Sequence, residues 1–425
     1  MNIEALYKIF LVHPLISTDS RTIQKDSIFF ALKGENFNGN LFAKDALDKG
    51  AAYSVVDEFV DSNDERIIQV ENVLETLQQL AKHHRQQFTI PFIAITGSNG
   101  KTTTKELVST VLATHYITYT TQGNLNNHIG VPLTLLSIKK DAQIAVIEMG
   151  ANHQKEIESY CSYTLPTHGI ITNCGKAHLE GFGSEEGIRK GKGELFDFLR
   201  QHKGCAFIFN DYAYLQTMSK GIEQVIEYGT HKGLVKGNLA KSTPFVSVNI
   251  CVNKEEITLH TQLVGAYNLP NILCAVAVGV YCNVPVEKIK CAIESYTPSN
   301  SRSQLLTKET NHFILDAYNA NPSSMKAAIE NFANIQADNK ILILGAMMEL
   351  GAESIKEHQN IVTLLEQYTW TNVILTGGDF AKVKHHYTYM NNAETVGLWL
   401  KENQFQHTYF LIKGSRSFQM EKVLQ

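Results

Sequence analysis

Apolar runs of strand length alternate with segments of helical period along most of the chain. Pro91–Thr96 is a predicted strand and Thr102–Thr114 the helix after it. Gln143–Glu148 and Gln154–Tyr160 repeat that order, as do Gly169–Asn173 and Glu185–Arg200. Such alternation predicts a mostly parallel sheet covered by helices on both faces. Before it, Ser27–Leu32 and Ala51–Val56 read as strands, and Val73–Gln87 as a charged, solvent-edged helix. Lys236–Val264 changes texture: Phe245–Val252 and Ile257–Leu263 alternate with period two, as antiparallel strands do. A further unit begins near Pro298–Ser303, where Phe313–Asp316, Lys340–Leu344, Val373–Thr376 and Tyr409–Ile412 are strands separated by helical patterns. Ligand sites in such doubly wound units are expected at strand C-terminal ends.

The expected fold is therefore α/β in three domains. A smaller N-terminal α/β domain covers residues 1–85, a central domain with a phosphate loop and mostly parallel sheet 86–298, and a Rossmann-like C-terminal domain 299–425. Composition agrees: 44% hydrophobic and 19% charged residues suit a soluble protein with real cores. Net charge is −4 and no Lys/Arg run exceeds two residues, which argues against nucleic-acid binding. Seven scattered cysteines, with no C-x-x-C pair, indicate buried thiols in a reducing cytosol rather than a disulfide framework or a zinc ribbon. Ile9–Ile16 is broken by His13 and Pro14, the wrong shape for a signal peptide. The longest apolar stretch, Ile272–Cys282, falls well short of the ~20 residues needed to cross a bilayer. It reads as a buried helix. The expectation is a cytoplasmic protein, not inserted in a membrane, and a monomer.

The strongest local signal is Ala94-Ile-Thr-Gly-Ser-Asn-Gly-Lys-Thr-Thr-Thr104, a strand running into a helix. Gly97 and Gly100 permit backbone paths that side chains block, so the amides of Gly97, Ser98, Asn99, Gly100, Lys101, Thr102 and Thr103 can converge on phosphate. Lys101 supplies a cation for the β- and γ-phosphates of ATP, and the Thr102 hydroxyl a ligand for Mg²⁺. The loop departs from the standard motif, because Ile95 stands where the first glycine is usual. A plain strand–turn–helix junction is the bland alternative, and the Gly-Lys-Thr-Thr run weighs against it.

A bound nucleotide calls for Mg²⁺ donors nearby. Glu148 closes the run Ile144–Ile147 and can hold metal, or simply start a helix. His178 follows the strand Gly169–Asn173; a lone histidine is more often structural than a ligand. Lys192, within Glu185–Glu194, taken alone is an exposed helix lysine.

Together these segments, with Asn124-Leu-Asn-Asn-His-Ile-Gly-Val-Pro132, Glu148–Ala151, Gly175–Gly183, Gly191–Glu194, Asn268–Asn271 and Asp316-Ala-Tyr-Asn-Ala-Asn-Pro322, resemble the Mur ligases of peptidoglycan synthesis in order and spacing. Tyr318–Pro322, Leu344-Gly-Ala-Met-Met-Glu-Leu-Gly351 and Lys413-Gly-Ser-Arg416 are most similar to the branch that joins D-alanyl-D-alanine to UDP-N-acetylmuramoyl-tripeptide. The resemblance implies ATP and Mg²⁺ as cofactors and an acyl phosphate on the peptide. It implies Lys101, Glu148, His178 and Lys192 as catalytic residues, and Thr102, Glu148, His178 and Lys192 as the metal-holding set. Lys192 matches the lysine that is carbamylated in the family, a reaction that first requires a neutral amine. Asn268 and Asn271 match residues near adenine, and Arg302 and Asp316 residues that close over phosphates and ribose. Ser20 and Arg21, in Thr18-Asp-Ser-Arg21, match the uridine-nucleotide end, and Asn126, Asn127, Asn319 and Asn321 the peptide and dipeptide contacts. Closure of the third domain on the second is implied as well.

Three departures stand out: Ala346 where aspartate is usual, His128 where an acid is common, and Asn36-Phe-Asn-Gly39 without the usual ending. They bear on the dipeptide, peptide and uridyl ends respectively. Rival readings are a folylpolyglutamate synthase-like ligase, set back by the N-terminal residues with Asp19-Ser-Arg21, and the tripeptide-forming sibling, whose Asp-Asn-Pro-Arg signature is missing. A non-catalytic relative is set back by the presence of Lys101, Glu148, His178 and Lys192.

Overall fold

The computed structural model describes residues 2–299 and 301–425; Asn300, inside the predicted Pro298–Ser303 junction, lies outside them. The chain divides into two compact units, each built from separated stretches. The first holds Met1–Ala94, Tyr116–Gly150 and Glu156–His168; the second holds Ile95–His115, Ala151–Lys155 and Gly169–Gln425.

In the first unit a four-stranded parallel sheet runs in the order Ile16–Ser17, Ile28–Phe30, Tyr53–Val56, Ile67–Gln69. Phe29, Ala31, Ala43, Ala46, Leu47, Ala51 and Val56 form one buried cluster against it. Helix Val73–Arg85 starts at Asn72, whose side chain accepts from the Glu75 amide. Although predicted to be solvent-edged, it buries Val73, Leu77, Leu80 and Ala81, an apolar stripe at helical spacing, together with His84 and Arg85. Burying that guanidinium would be costly without partners, and it has them. Arg85 donates to the Thr164 carbonyl at 2.8 Å and the Leu165 carbonyl at 2.9 Å, and lies 3.7 Å over the Phe92 ring. Strands Thr118–Thr120 and Ile144–Glu148 pair in parallel, and the Ala145 amide donates to the Pro91 carbonyl.

The second unit contains the predicted change of texture. Val235–Lys241, Ser247–Val252 and Glu255–His260 pair antiparallel, and Cys205–Phe209, Gln224–Gly229 and Val235–Lys241 pair in parallel. Helix Leu269–Tyr281 is apolar nearly all round and correspondingly buried. A six-stranded sheet follows in the order Gln304–Lys308, Asn311–Asp316, Thr408–Lys413, Asn339–Gly345, Asn372–Thr376, Thr388–Met390. Only its first pair is antiparallel. Phe313, Leu315, Ile341, Ile343, Ile374, Phe410 and Ile412 make its core. Among the described residues no helix is long and apolar enough to cross a membrane, and none of the seven cysteines forms a disulfide.

Candidate active site

The strand Phe92–Thr96 is wholly buried and ends at Gly97, which turns the chain. Gly97 has φ +145°, and a Cβ there would sit 2.0 Å from Thr172 Oγ1. Gly100, with φ +78°, is the N-cap of helix Lys101–Ala113, and no side chain caps that helix. The helix therefore presents its first amides to whatever anion arrives. Ile95, the departure from the standard motif, is a buried strand residue with no exposed surface. The turn needs its glycines at positions 97 and 100.

Neighbouring strand ends brace the loop. The Ser98 amide donates to the Asn173 carbonyl at 2.8 Å, and Ser98 Oγ to the Gly175 carbonyl at 2.7 Å. The Asn99 carbonyl accepts from Thr172 Oγ1 at 2.6 Å and from Asn173 Nδ2 at 3.0 Å. Lys101 Nζ folds back onto the Gly97 and Ser98 carbonyls at 2.7 and 3.1 Å. Thr102 is buried in the first helical turn and Thr103 is half-buried.

Asn268 and Asn271 are buried and bond within the protein. Asn268 Nδ2 donates to the Val264 carbonyl, Asn271 Nδ2 to Asn268 Oδ1, and Thr104 Oγ1 to Asn271 Oδ1, at 2.9, 2.9 and 3.1 Å. This relay fastens the phosphate-loop helix to helix Leu269–Tyr281.

The downstream segment supplies further contacts to the loop. Asn321 caps helix Pro322–Ala333 in a reciprocal capping box with Ser324, and its Nδ2 donates to Asn99 Oδ1 at 2.7 Å. Asn319 Oδ1 accepts from the Ala320 amide. Asp316 accepts from the Ser303 amide and pairs with the buried Lys413 at 2.5 Å. Arg302 stacks 3.6 Å over the Tyr318 ring, and its buried Nε has no hydrogen-bond partner among the described residues. A buried donor in that state suits an anionic ligand. Residues absent from the predicted site complete the surround. Lys176 pairs with the buried Glu357 at 2.9 Å, its amide donates to Ser323 Oγ, and Glu349 pairs with His178 at 2.5 Å. Glu349 and Lys413 lie in segments that carry the resemblance, but their partners are far away in sequence.

Three stretches match Mur ligase family descriptions: the catalytic domain over residues 14–85, the middle domain over 95–279, and the glutamate ligase domain over 301–405. The chain is 32% identical to UDP-N-acetylmuramoyl-tripeptide–D-alanyl-D-alanine ligase of Bacillus subtilis strain 168, over 96% of this chain and 92% of that protein. It belongs to the Mur ligase family. A crystal structure of MurF from Acinetobacter baumannii superposes with a TM-score of 0.87 at 30% identity, covering 96% of this chain and 92% of that one. MurF from Thermotoga maritima in complex with ADP gives 0.88 at 25% identity, covering 97% of both. The fold is thus the three-domain α/β architecture of the Mur ligases.

In this Mur ligase Lys192 is wholly buried, not the exposed helix residue that its charge alone suggests; Nζ donates to the Ala151 carbonyl at 2.8 Å and lies 4.8 Å over the Phe182 ring. Glu148 is also buried: its Oε1 accepts from Asn126 Nδ2 at 2.7 Å and its amide donates to Thr121 Oγ1. Asn127 Oδ1 accepts from the Ile129 and Gly130 amides and so starts helix Gly130–Leu136. His128 is exposed, its carbonyl accepting from Gln78. Ser20 is buried, while Arg21 is exposed and forked onto Asp19, whose carboxyl it holds down at about 2. Ala346 is buried; a Cβ on Gly378 would sit 2.5 Å from its own Cβ.

Among the described residues no group of three or more His, Cys, Asp or Glu is placed to hold a metal ion. A magnesium ion does not require one, since it keeps several waters and binds through one or two carboxylates plus substrate phosphates. The hydroxyl of Thr102 and the carboxylate of Glu148 are oxygen donors of the kind that magnesium takes.

Proposed function

We propose that this Mur ligase joins D-alanyl-D-alanine to UDP-N-acetylmuramoyl-tripeptide at the expense of ATP, giving the pentapeptide precursor of peptidoglycan. The observation that carries the reading is the loop Gly97–Thr102, with its bare helix N-terminus and Lys101, in a chain similar over nearly its whole length to ligases of that name. The domain boundaries that go with it are 1–85, 86–298 and 299–425, supported by the three family matches.

The tripeptide carboxylate attacks the γ-phosphorus; an oxygen–phosphorus bond forms, the bond to the bridging oxygen breaks, and ADP leaves. The loop amides and Lys101 orient the triphosphate and neutralise its charge, the main contributions a protein makes to phosphoryl transfer. The dipeptide amine then attacks the acyl carbonyl, phosphate departs, and the amine proton passes to solvent. Magnesium, held by Thr102, Glu148 and His178 with carbamylated Lys192 alongside, would supply further charge neutralisation. Arg302 and Asp316 would meet phosphates and ribose, and Asn268 and Asn271 would position the adenine side through the loop helix. Ser20 and Arg21 would serve the uridyl end, and Asn126, Asn127, Asn319 and Asn321 the peptide. The setting we assign is the cytoplasm, the protein acting as a monomer without nucleic-acid partners.

The test is direct. Purified protein is given ATP, Mg²⁺, D-alanyl-D-alanine and UDP-muramoyl-tripeptide carrying diaminopimelate or lysine, and products are weighed by mass spectrometry. Pentapeptide and ADP in equal amounts are expected from one of the two. No pentapeptide from either overturns the reading.

A further inference from the structure

Strand Thr408–Lys413 runs between Asn311–Asp316 and Asn339–Gly345 and is parallel to both, so three chain segments leave the last sheet side by side at its C-terminal end. Ligands of doubly wound sheets settle at that end. Two of the segments reach the phosphate-loop side: Asn321 donates to Asn99, and Glu349 approaches His178. The third, from the central strand, carries Ser415, which is buried. A serine hydroxyl has one proton to give and lone pairs to accept with, and here both are used. Ser415 Oγ accepts from the Met348 amide at 2.9 Å and donates to the Ala320 carbonyl at 3.2 Å, while its own amide donates to the Ala346 carbonyl at 3.1 Å. One buried side chain thus joins the segment after Asp316 to the segment after Gly345. Lys413 adds a tie on one side, donating to Asp316 and to the Asn319 carbonyl. Beyond these ties both segments turn outward: Asn319 and Met348 are exposed, whereas Ala320 and Met347 beside them are buried.

We propose that Ser415 is a positioning residue that sets the spacing between Asn319 and Met348, and that these two exposed tips border the place taken by the incoming dipeptide. The inference rests on the ligase reading and deepens it. A dipeptide that meets an acyl phosphate at the phosphate loop must pass the segments that face that loop, and the segments of Asn321 and Glu349 do so. Ser415 itself is buried and acts through the two backbones it joins. Losing its hydroxyl releases Met348 and Ala320 together, and a misplacement of about 1 Å can cost a reaction about 10²-fold.

The experiment uses the full chain with Ser415→Ala, which deletes the hydroxyl, and Ser415→Cys, whose thiol is a weaker donor and acceptor in nearly the same shape. Amide exchange followed by NMR is expected to show Met348 protected in wild type and exchanging about tenfold faster in Ser415→Ala. The Ala346 amide, which donates to the Thr376 carbonyl, should keep its wild-type rate. Steady-state ligation is expected to show the KM for D-alanyl-D-alanine raised about 10- to 100-fold in Ser415→Ala, with the KM for ATP within about threefold of wild type. Ser415→Cys should fall between the two. General loosening would raise both constants alike, so equal rises overturn the proposal. An unchanged dipeptide KM, or a Met348 amide that exchanges equally fast in wild type and Ser415→Ala, overturns it as well. Should a thermal melt show that Ser415→Ala does not fold, Ser415→Cys is judged by the same criteria. Wild type that makes no pentapeptide while Met348 exchanges as expected keeps the Ser415 tie and removes the ligase reading instead.

Discussion

Lys101 donates to the Gly97 and Ser98 carbonyls of its own loop. Removing the amine should cost the fold about 1–3 kcal/mol while depriving the triphosphate of its cation. Lys101→Ala is expected to lose pentapeptide synthesis by about 10²- to 10³-fold, a loss typical of deleting a charge-stabilising group in a transition state. Its melting temperature should stay within a few degrees of wild type; activity within tenfold of wild type would discount the loop. Lys192 presents the opposite case, an amine with no exposed surface donating to the Ala151 carbonyl. If it acts as its carbamate, Lys192→Ala should be inactive and regain part of its rate when short-chain carboxylic acids occupy the gap. A variant unmoved by formate or acetate would leave Lys192 a structural amine.

At the scale of elements, the parallel strands were the most legible part of the molecule. Phe92–Thr96 and Ile144–Glu148 are buried along their whole length, and burial on both faces writes an unbroken apolar run into the sequence. Cys205–Phe209 is a run of the same kind missing from the predicted strands. Thr118–Thr120 and Gln304–Lys308 carry no such signature, being half-exposed and partly polar. The phosphate loop could be read because its glycines and lysine are contiguous. The asparagine relay could not, since Thr104 and Asn271 stand 167 positions apart and only the packing of two helices brings them together. That relay has a measurable consequence. Asn271→Ala strands the buried Thr104 hydroxyl and Asn268 Oδ1, at about 1–3 kcal/mol for each group left without a partner. It should lower the unfolding free energy in urea and, by loosening the loop helix, weaken ADP binding measured by calorimetry. Gly97→Ala should be harsher on binding, because its methyl would displace Thr172, which holds the Asn99 carbonyl. Unchanged ADP affinity in both variants would show that the loop tolerates these shifts.

For the whole molecule, the histidines set how stability depends on acid. His84 Nε2 donates to the Ile138 carbonyl at 2.8 Å, leaving Nδ1 to accept from the Tyr7 hydroxyl. His358 Nδ1 donates to the Ser354 carbonyl at 2.7 Å and Nε2 accepts from the Met347 amide at 3.0 Å, so a second proton would set two donors face to face. Burial depresses both, and pushes His168 down to about 4 from an ordinary 6.5. Between those limits the unfolded chain binds protons that the native one refuses, so unfolding becomes easier as pH falls, and the full contribution is present above 6.5. His168 alone would account for about 3 kcal/mol once pH has dropped through both values. Carboxylates held low by a neighbouring arginine, such as Asp19 and Asp64 at about 2, take up their protons only in stronger acid, so the range from pH 6.5 to 5 belongs to the histidines. Urea midpoints are expected to fall steadily across that range, and His168→Gln should flatten the slope by about 1 kcal/mol per pH unit. Midpoints that hold level from pH 8 to 5 would mean that these rings accept protons as readily in the native protein as in the unfolded chain.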